Sequence, residues 1–261
     1  MNRIVEKLVR GMGYELVPKE REYQQLYKLA YYEKIPYITP AQRDTIDRCL
    51  PYTQTRDDSL FCLIRAIEYV AKAGIDGAFV GCGVWKGGSV MAMALTLDRL
   101  GCINSDIYLF DTFRGMPPGG PMDVDSCGND EKWYREERID HANGGKGDQW
   151  NAVTLPDVQK NLAQINSRQR FHYLEGKVEE TIPGQAPDKI ALLRLDTDFY
   201  SSTRHELVHL YPRLTSGGIL IIDDYGHFVG ARKAVDEFVE ANNIHMFLHR
   251  LNYTVLVGVK P

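Results

Sequence analysis

Hydrophobic positions change their spacing near residue 75, and the change separates two textures of chain. Before it, Ile4, Leu8 and Met12 recur four apart, and Leu60, Leu63, Ile64, Ile67, Val70 and Ala71 form a longer amphipathic stripe, so residues 1–74 are expected to be helical. After it, short apolar runs alternate with helical stretches, the pattern of a mostly parallel sheet covered on both faces. The runs lie at 77–82, 106–110, 170–174, 190–195 and 218–223, and the helices between and after them are predicted at 89–100, 155–165, 202–214 and 230–240. MFLHRL and YTVLVGV, joined at Asn252, predict a closing hairpin and bring the strands to seven. No internal repeat is evident.

One connection is too long for a simple crossover. Residues 112–153 carry Pro117, Pro118, Gly119, Gly120, Pro121, Gly144, Gly145 and Gly147, so turns interrupt any helix there. Insertions of this length are usually lids or binding loops, and a lid is expected at about 115–150. Trp133, Tyr134, His141 and Trp150 would line it, or equally well pack it onto the body. The resulting organisation is a helical extension, 1–74, followed by an α/β domain, 75–261. Seven tyrosines between Tyr14 and Tyr52 offer a subunit contact or a pocket wall, with plain packing the commoner use of such density, so a homodimer or higher homo-oligomer is expected.

Composition narrows the class. A length of 261 residues suits one α/β domain with additions. Basic residues number 31 against 35 acidic, a formal net charge of -4, and no run of Lys or Arg offers a polyanion a footprint, so nucleic acid is not an expected partner. The five cysteines are odd in number, scattered and without a C-x-x-C pair, which reads as a reducing, cytoplasmic setting. The first 18 residues mix charge into their apolar positions and provide neither a signal-peptide core nor a membrane span.

The segment FVGCGVWKGGS (79–89) leaves a strand, turns on Gly83, Gly87 and Gly88, and enters a helix with Ser89 placed to cap it. Glycines allow a ligand close to the backbone, and a helix amino terminus offers unpaired N–H groups, although many α/β proteins need such a turn for structure alone. About twenty residues on, the second strand ends at Asp111, where a nucleotide-binding sheet sets a carboxylate against ribose hydroxyls. The spacing is G-x-G-x-x-x-G rather than the pyrophosphate pattern, which favours S-adenosylmethionine over a dinucleotide. After the third strand, EGKVEETIP adds Gly176 and Val178 at the edge where an adenine ring would lie; an ordinary loop reads equally well.

Two later strands end in acids, LRLDTDFYSST and LIIDDYGHF. Strand ends of a parallel sheet collect on one edge, so Asp196, Asp198, Asp223 and Asp224 should converge. Clustered carboxylates repel unless a cation or shared protons compensate. All-oxygen ligation suits Mg²⁺ or Mn²⁺, which would hold a substrate hydroxyl and lower its pKa. The bland alternative has Asp198 capping the next helix and Asp224 solvating a turn. His205, Glu206 and His209 spell the zinc pattern H-E-x-x-H, which would imply a zinc hydrolase. Their context is an ordinary amphipathic crossover helix with no third ligand specified, so packing is preferred.

The blocks FVGCGVWKGGSVMAMA, LFDTFRGMP, LRLDTDFYSSTRHELVHLYPRL and LIIDDYGHFVGARKAVDEF, in this order over about 55–259, resemble the macrocin O-methyltransferase (TylF) family. The resemblance implies a class I methyltransferase, Rossmann-like fold and Mg²⁺-assisted methyl transfer from S-adenosylmethionine to a hydroxyl, typically on a deoxysugar of a small-molecule glycoside. It further implies Asp196, Asp223 and Asp224 as the metal set, with Asp196 also the base. Gly81, Cys82, Gly83, Val84, Trp85, Gly87, Gly88, Ser89, Asp111, Thr112, Phe113, Gly176 and Val178 would surround the cofactor. The family usually carries an acid where this chain has Gly81, so a non-catalytic cofactor-binding protein of the same fold is the competing expectation.

Overall fold

The computed structural model describes residues 38–130, 132–133 and 151–261. The stripe of Ile4, Leu8 and Met12, all the tyrosines of the cluster except Tyr52, and Tyr134, His141 and Trp150 of the expected lid lie outside the described residues. Two compact units are distinguished, Met1–Asp44 and Thr45–Pro261. In the first, Thr39 and Gln42 form a reciprocal cap at the start of helix α1 (Pro40–Cys49): the Gln42 side chain accepts from the Thr39 N–H at 2.9 Å, and Thr39 Oγ1 from the Gln42 N–H at 3.3 Å.

The second unit is built on a sheet of seven strands in the order β3-β2-β1-β4-β5-β7-β6. Its strands are β1 (Ala78–Cys82), β2 (Asp106–Asp111), β3 (Arg170–Glu175), β4 (Ile190–Leu195), β5 (Leu214–Ile222), β6 (Leu248–Arg250) and β7 (Leu256–Val259). The first five run parallel, and β7 is antiparallel to both β5 and β6, as the hairpin reading expects. Every residue of β1 and β4 is buried, because helices cover both faces of a central parallel strand.

The covering helices are α2 (Asp57–Ala73), α3 (Gly88–Arg99), α4 (Leu155–Ala163), the short α5 (Val178–Thr181), α6 (Tyr200–Leu210) and α7 (Val229–Ala241). Helix α2 buries Leu60, Leu63, Ile64, Ile67 and Val70, the stripe seen in the sequence, and stops at Gly74 in the left-handed conformation. Buried Glu68 ties it to α3 by accepting from Arg99 at 2.6 Å and is completed by Arg65 at 2.7 Å. This helix therefore packs in the same unit as the sheet.

Three local expectations are corrected. Ser89 does not cap α3: Gly87, at φ 95°, is the cap residue, and Ser89 is the second residue of the helix, buried, with its hydroxyl 3.5 Å from Thr55 Oγ1. Asp198 does not cap α6 either, whose cap position is Phe199. Instead Asp123, from the long insertion, accepts from the Tyr200 N–H at 2.7 Å and from the Gly120 N–H at 2.6 Å. Strand β5 begins at Leu214, not at 218, because Leu214 pairs with Ile190 of β4.

No helix among the described residues is long and apolar enough to cross a membrane.

Candidate active site

Between β1 and β4 the connections leave in opposite directions, to β2 on one side and to β5 on the other. A crevice opens at the carboxyl ends of strands at such a point, the usual ligand position in an open α/β sheet. Here it is a cavity of about 380 Å³, a volume within the range of small-molecule sites. One end is the glycine turn and the other is the acidic cluster.

The glycine turn is organised by Asp111. Its Oδ2 accepts from the N–H groups of Val84 at 2.7 Å and Trp85 at 3.1 Å, and its Oδ1 from that of Phe113 at 2.8 Å. A carboxylate has about four lone-pair sites, so most of this one is spent in holding the turn. Gly83, at φ 81°, lies so close to β4 that a Cβ there would collide with the Asp196 carbonyl oxygen. That close approach brings the two ends of the cavity together.

Of the cofactor-side residues expected from sequence, Gly83, Val84, Trp85, Ser89, Asp111, Thr112, Gly176 and Val178 line the cavity. Gly81, Cys82, Gly87, Gly88 and Phe113 do not. Cys82 and Phe113 are buried in the core, and a Cβ at Gly81 would meet only Met93 Cε, at 3.9 Å. The segment after the third strand supplies more than a loop: Lys177, Val178 and Glu179 face the cavity from the start of α5.

At the other end, Asp196, Asp198 and Asp224 each offer an oxygen within 4.8 Å of the others, the one such group of three His, Cys, Asp or Glu among the described residues. Register explains the convergence: the Asp223 N–H donates to the Leu195 carbonyl at 2.9 Å, extending the β4–β5 ladder one step and setting the two acidic strand ends side by side. Burial, with the nearby carboxylates adding, pushes the Asp196 and Asp224 carboxyls well above the usual range.

Asp223 is not one of the three. It is paired with Arg194, which also holds Asp196 Oδ2 at 2.7 Å and donates to Thr55 Oγ1 at 2.9 Å. Arg194 is 2 % exposed. Burial would lower its pKa, but the Asp196 and Asp223 carboxylates outweigh that and keep it charged. Burial also pushes the Cys62 thiol of α2 up to about 11, and the Asp223 and Asp58 carboxylates add to this.

Several cavity residues carried no sequence signal. Thr53, Gln54, Thr55 and Arg56 enter from the segment before α2, and Tyr253 and Thr254 from the hairpin turn. That turn is fastened to the loop after β5 by the Gly226 N–H, which donates to the Thr254 carbonyl at 2.9 Å. Met116, Pro117, His227 and Phe228 complete an apolar and aromatic rim on the acidic side. Trp133, at 39 % exposure, does not line the cavity.

The H-E-x-x-H residues face elsewhere. His205 Nε2 bonds the Ile182 carbonyl at 2.9 Å and its ring lies 4.4 Å from that of His209. Glu206 is fully buried and accepts from the Thr197 hydroxyl at 3.0 Å.

The sequence profile described as macrocin-O-methyltransferase (TylF) matches residues 33–257. The 8-demethyl-8-(2,3-dimethoxy-alpha-L-rhamnosyl)-tetracenomycin-C 4'-O-methyltransferase of Streptomyces olivaceus is 36% identical over 175 residues, 66% of this chain and 61% of that protein. The demethyldecarbamoylnovobiocin O-methyltransferase of Streptomyces niveus is 29% identical over 175 residues, 67% of this chain and 62% of that protein. The chain thus spans about three fifths of the length of these two curated relatives. Among solved structures, the O-methyltransferase NovP superposes with a TM-score of 0.69 at 25% identity, covering 80% of this chain and 82% of that one. The fold is that of the class I O-methyltransferases.

Proposed function

The chain belongs to the macrocin O-methyltransferase (TylF) family, and from that membership we propose that it methylates a hydroxyl of a sugar-bearing small molecule, with S-adenosylmethionine as donor and a divalent cation as assistant. The observation that carries this reading is a single cavity with the Asp111-braced glycine turn at one end and three convergent carboxylates at the other. The relatives' names describe methylation of a rhamnosyl-tetracenomycin and of a novobiocin precursor, which points to a glycoside acceptor here.

The residues fit both groups. Gly83, without a side chain, and the small side chains of Val84 and Ser89, with Trp85 beside them, line the cavity and suit a nucleoside-bearing donor, whose contribution is an electrophilic sulfonium methyl. Half-buried carboxylates pushed above their ordinary pKa suit a hard dication, Mg²⁺ or Mn²⁺, which would orient the acceptor hydroxyl and acidify it. Asp196, Asp223 and Asp224, the set the resemblance implies, would hold that ion, with Asp198 converging on Asp196 and Asp224 beside them and Asp223 also paired with Arg194.

Asp196 is also the candidate base, a role that competes with ligation: Arg194 Nη1 engages its Oδ2, so one oxygen, Oδ1, is left for the ion or for the hydroxyl proton, and ligation ranks first. The aromatic rim of His227, Phe228 and Tyr253 excludes water and aligns the acceptor oxygen, so that positioning and deprotonation carry the rate.

Calorimetric titration with S-adenosylmethionine and with Mg²⁺ tests the reading, and binding of neither would end it. Transfer of labelled methyl to a panel of rhamnosyl and other deoxysugar glycosides should be measurable. Asp196→Asn should lower that turnover on the order of 100-fold or more. No observation favours the non-catalytic alternative, because Gly81 lies off the cavity wall.

A further inference from the structure

A fully buried carboxyl on a covering helix needs a reason, since an apolar side chain would pack α6 against the sheet without the desolvation cost. Glu206 is such a residue, and the bond it makes is to the end of β4: its Oε1 accepts from the Thr197 hydroxyl at 3.0 Å. One helical turn earlier, the Ser202 hydroxyl lies 3.2 Å from the Thr197 carbonyl oxygen and 3.1 Å from that of Phe199, donating to the pair. Residues at this spacing share one face of a helix. A single face of α6 therefore grips Thr197 by its hydroxyl and its carbonyl together.

What this grip holds is a strained turn. Asp198, the next residue, has φ 66°, and the Phe199 N–H donates back to the Thr197 carbonyl at 2.7 Å, closing a γ-turn of positive φ, the rare and strained form. A residue with a Cβ persists in such a conformation only where its surroundings over-determine it. Here the turn sets the Asp198 carboxylate among those of Asp196 and Asp224, an oxygen of each lying within 4.8 Å of the others. Left free, the chain would relax toward negative φ and carry that carboxylate away from its like-charged neighbours.

We propose that Glu206 and Ser202 are positioning residues, which act through Thr197 to hold the Asp198 turn in its strained form and so preorganise the acidic end of the cavity. The inference rests on the methyl-transfer reading of the site given above and leaves the metal set as stated there. It gives the H-E-x-x-H segment a role without zinc: the glutamate supports the site from behind, while His205 bonds the Ile182 carbonyl. With the carboxylates already gathered, neither the ion nor the acceptor has to assemble them on binding.

The test uses the full chain, with Mg²⁺ alone and S-adenosylmethionine as calorimetric probes and labelled methyl transfer to rhamnosyl glycosides as the rate measurement. Glu206→Gln keeps an oxygen for the Thr197 hydroxyl and should hold turnover and Mg²⁺ affinity within about threefold of wild type. Glu206→Met, similar in length and without an acceptor, should lower turnover at saturating substrates about tenfold or more and weaken Mg²⁺ binding about threefold or more, with S-adenosylmethionine affinity within about twofold. A purely structural glutamate would lower the thermal midpoint of Glu206→Met yet leave turnover and Mg²⁺ affinity of the folded protein unchanged, and that result overturns the proposal. Equal losses in the two variants would trace the effect to the carboxyl's charge rather than to its hold on Thr197, and would overturn it as well.

Should Glu206→Met fail to fold, Thr197→Val and Thr197→Ser decide the matter. Thr197→Val keeps the shape and removes the hydroxyl, and should lose about tenfold or more in turnover, whereas Thr197→Ser retains the hydroxyl and should stay within about threefold of wild type. Indistinguishable rates for the two, with an active wild type, would overturn this inference alone. Absence of both S-adenosylmethionine binding and methyl transfer in the wild type would remove the proposed function and this inference with it.

Discussion

At the glycine-turn end of the cavity the Asp111 carboxylate is satisfied by three backbone N–H groups, whereas at the acidic end Asp196, Asp198 and Asp224 have one another as neighbours. The first arrangement is complete within the protein and stiffens a turn. In the second, desolvation and neighbouring carboxylates push the Asp196 and Asp224 carboxyls up, even though Arg194 holds Asp196 Oδ2. The same residue type thus closes a turn where backbone N–H groups surround it and gathers like charges where they do not. Asp123 belongs with Asp111: it is buried, and it caps α6 and pins the Gly120 turn.

The largest break in this comparison should come where its two halves touch. Gly83→Ala would drive a Cβ into the Asp196 carbonyl and require an alanine at φ 81°. A loss of about 3 kcal/mol or more in urea unfolding is expected. A loss below about 1 kcal/mol would mean that the β1 and β4 ends move apart easily. Next, Asp123→Ala strips two N–H groups of their acceptor and should cost about 1–3 kcal/mol, with Asp123→Asn recovering part because its carbonyl can still accept from one of them. An unchanged midpoint would separate Asp123 from the satisfied class.

The strands, the closing hairpin and every covering helix except the short α5 were readable from apolar runs and period-3.6 patterning, because those elements bury their stripes in one core; the order of the strands in the sheet was not. Convergence of the acids was readable too, as strand-end residues of parallel neighbours must meet on one edge. The division among the acids was not. It depends on Arg194, a charged residue in an apolar run that periodicity treats as an interruption, and on side-chain pairing across strands that a one-dimensional pattern does not carry. Asp123 was hidden for a related reason, since its partner is 77 residues away. Tyr253 and Thr254 reach the site only because a hairpin turn folds back on the loop after β5.

Behind the acidic end, Glu206 sharpens the contrast through pH. Burial pushes its carboxyl well above the ordinary range, more than the Thr197 hydroxyl bond lowers it, and the Glu179 and Asp196 charges add. The native state therefore holds this proton more tightly than the unfolded chain does. Stability from this group is full below the unfolded glutamate's pKa and is lost as pH rises toward the folded value. Glu206→Gln cannot ionise, so its thermal midpoint relative to wild type should climb between about pH 5 and about pH 8. A constant difference across that window would show that Glu206 is already ionised in the fold.

The smallest effect expected separates two glycines only two residues apart. Gly81 sits in the middle of the site's first strand, yet a Cβ there meets only the flexible end of Met93, at 3.9 Å, where one at Gly83 meets backbone. Gly81→Ala should therefore be tolerated or stabilising by about 0.4–1 kcal/mol, through the reduced freedom of the unfolded chain. S-adenosylmethionine affinity should stay within about twofold, because this position does not line the cavity. If calorimetry instead gave a large affinity change for so small a substitution, the position that carries an acid in the resembling family would act on the cofactor through the strand itself. The glycine turn would then depend on its strand for more than support, and its separation from the acidic end would have to be redrawn.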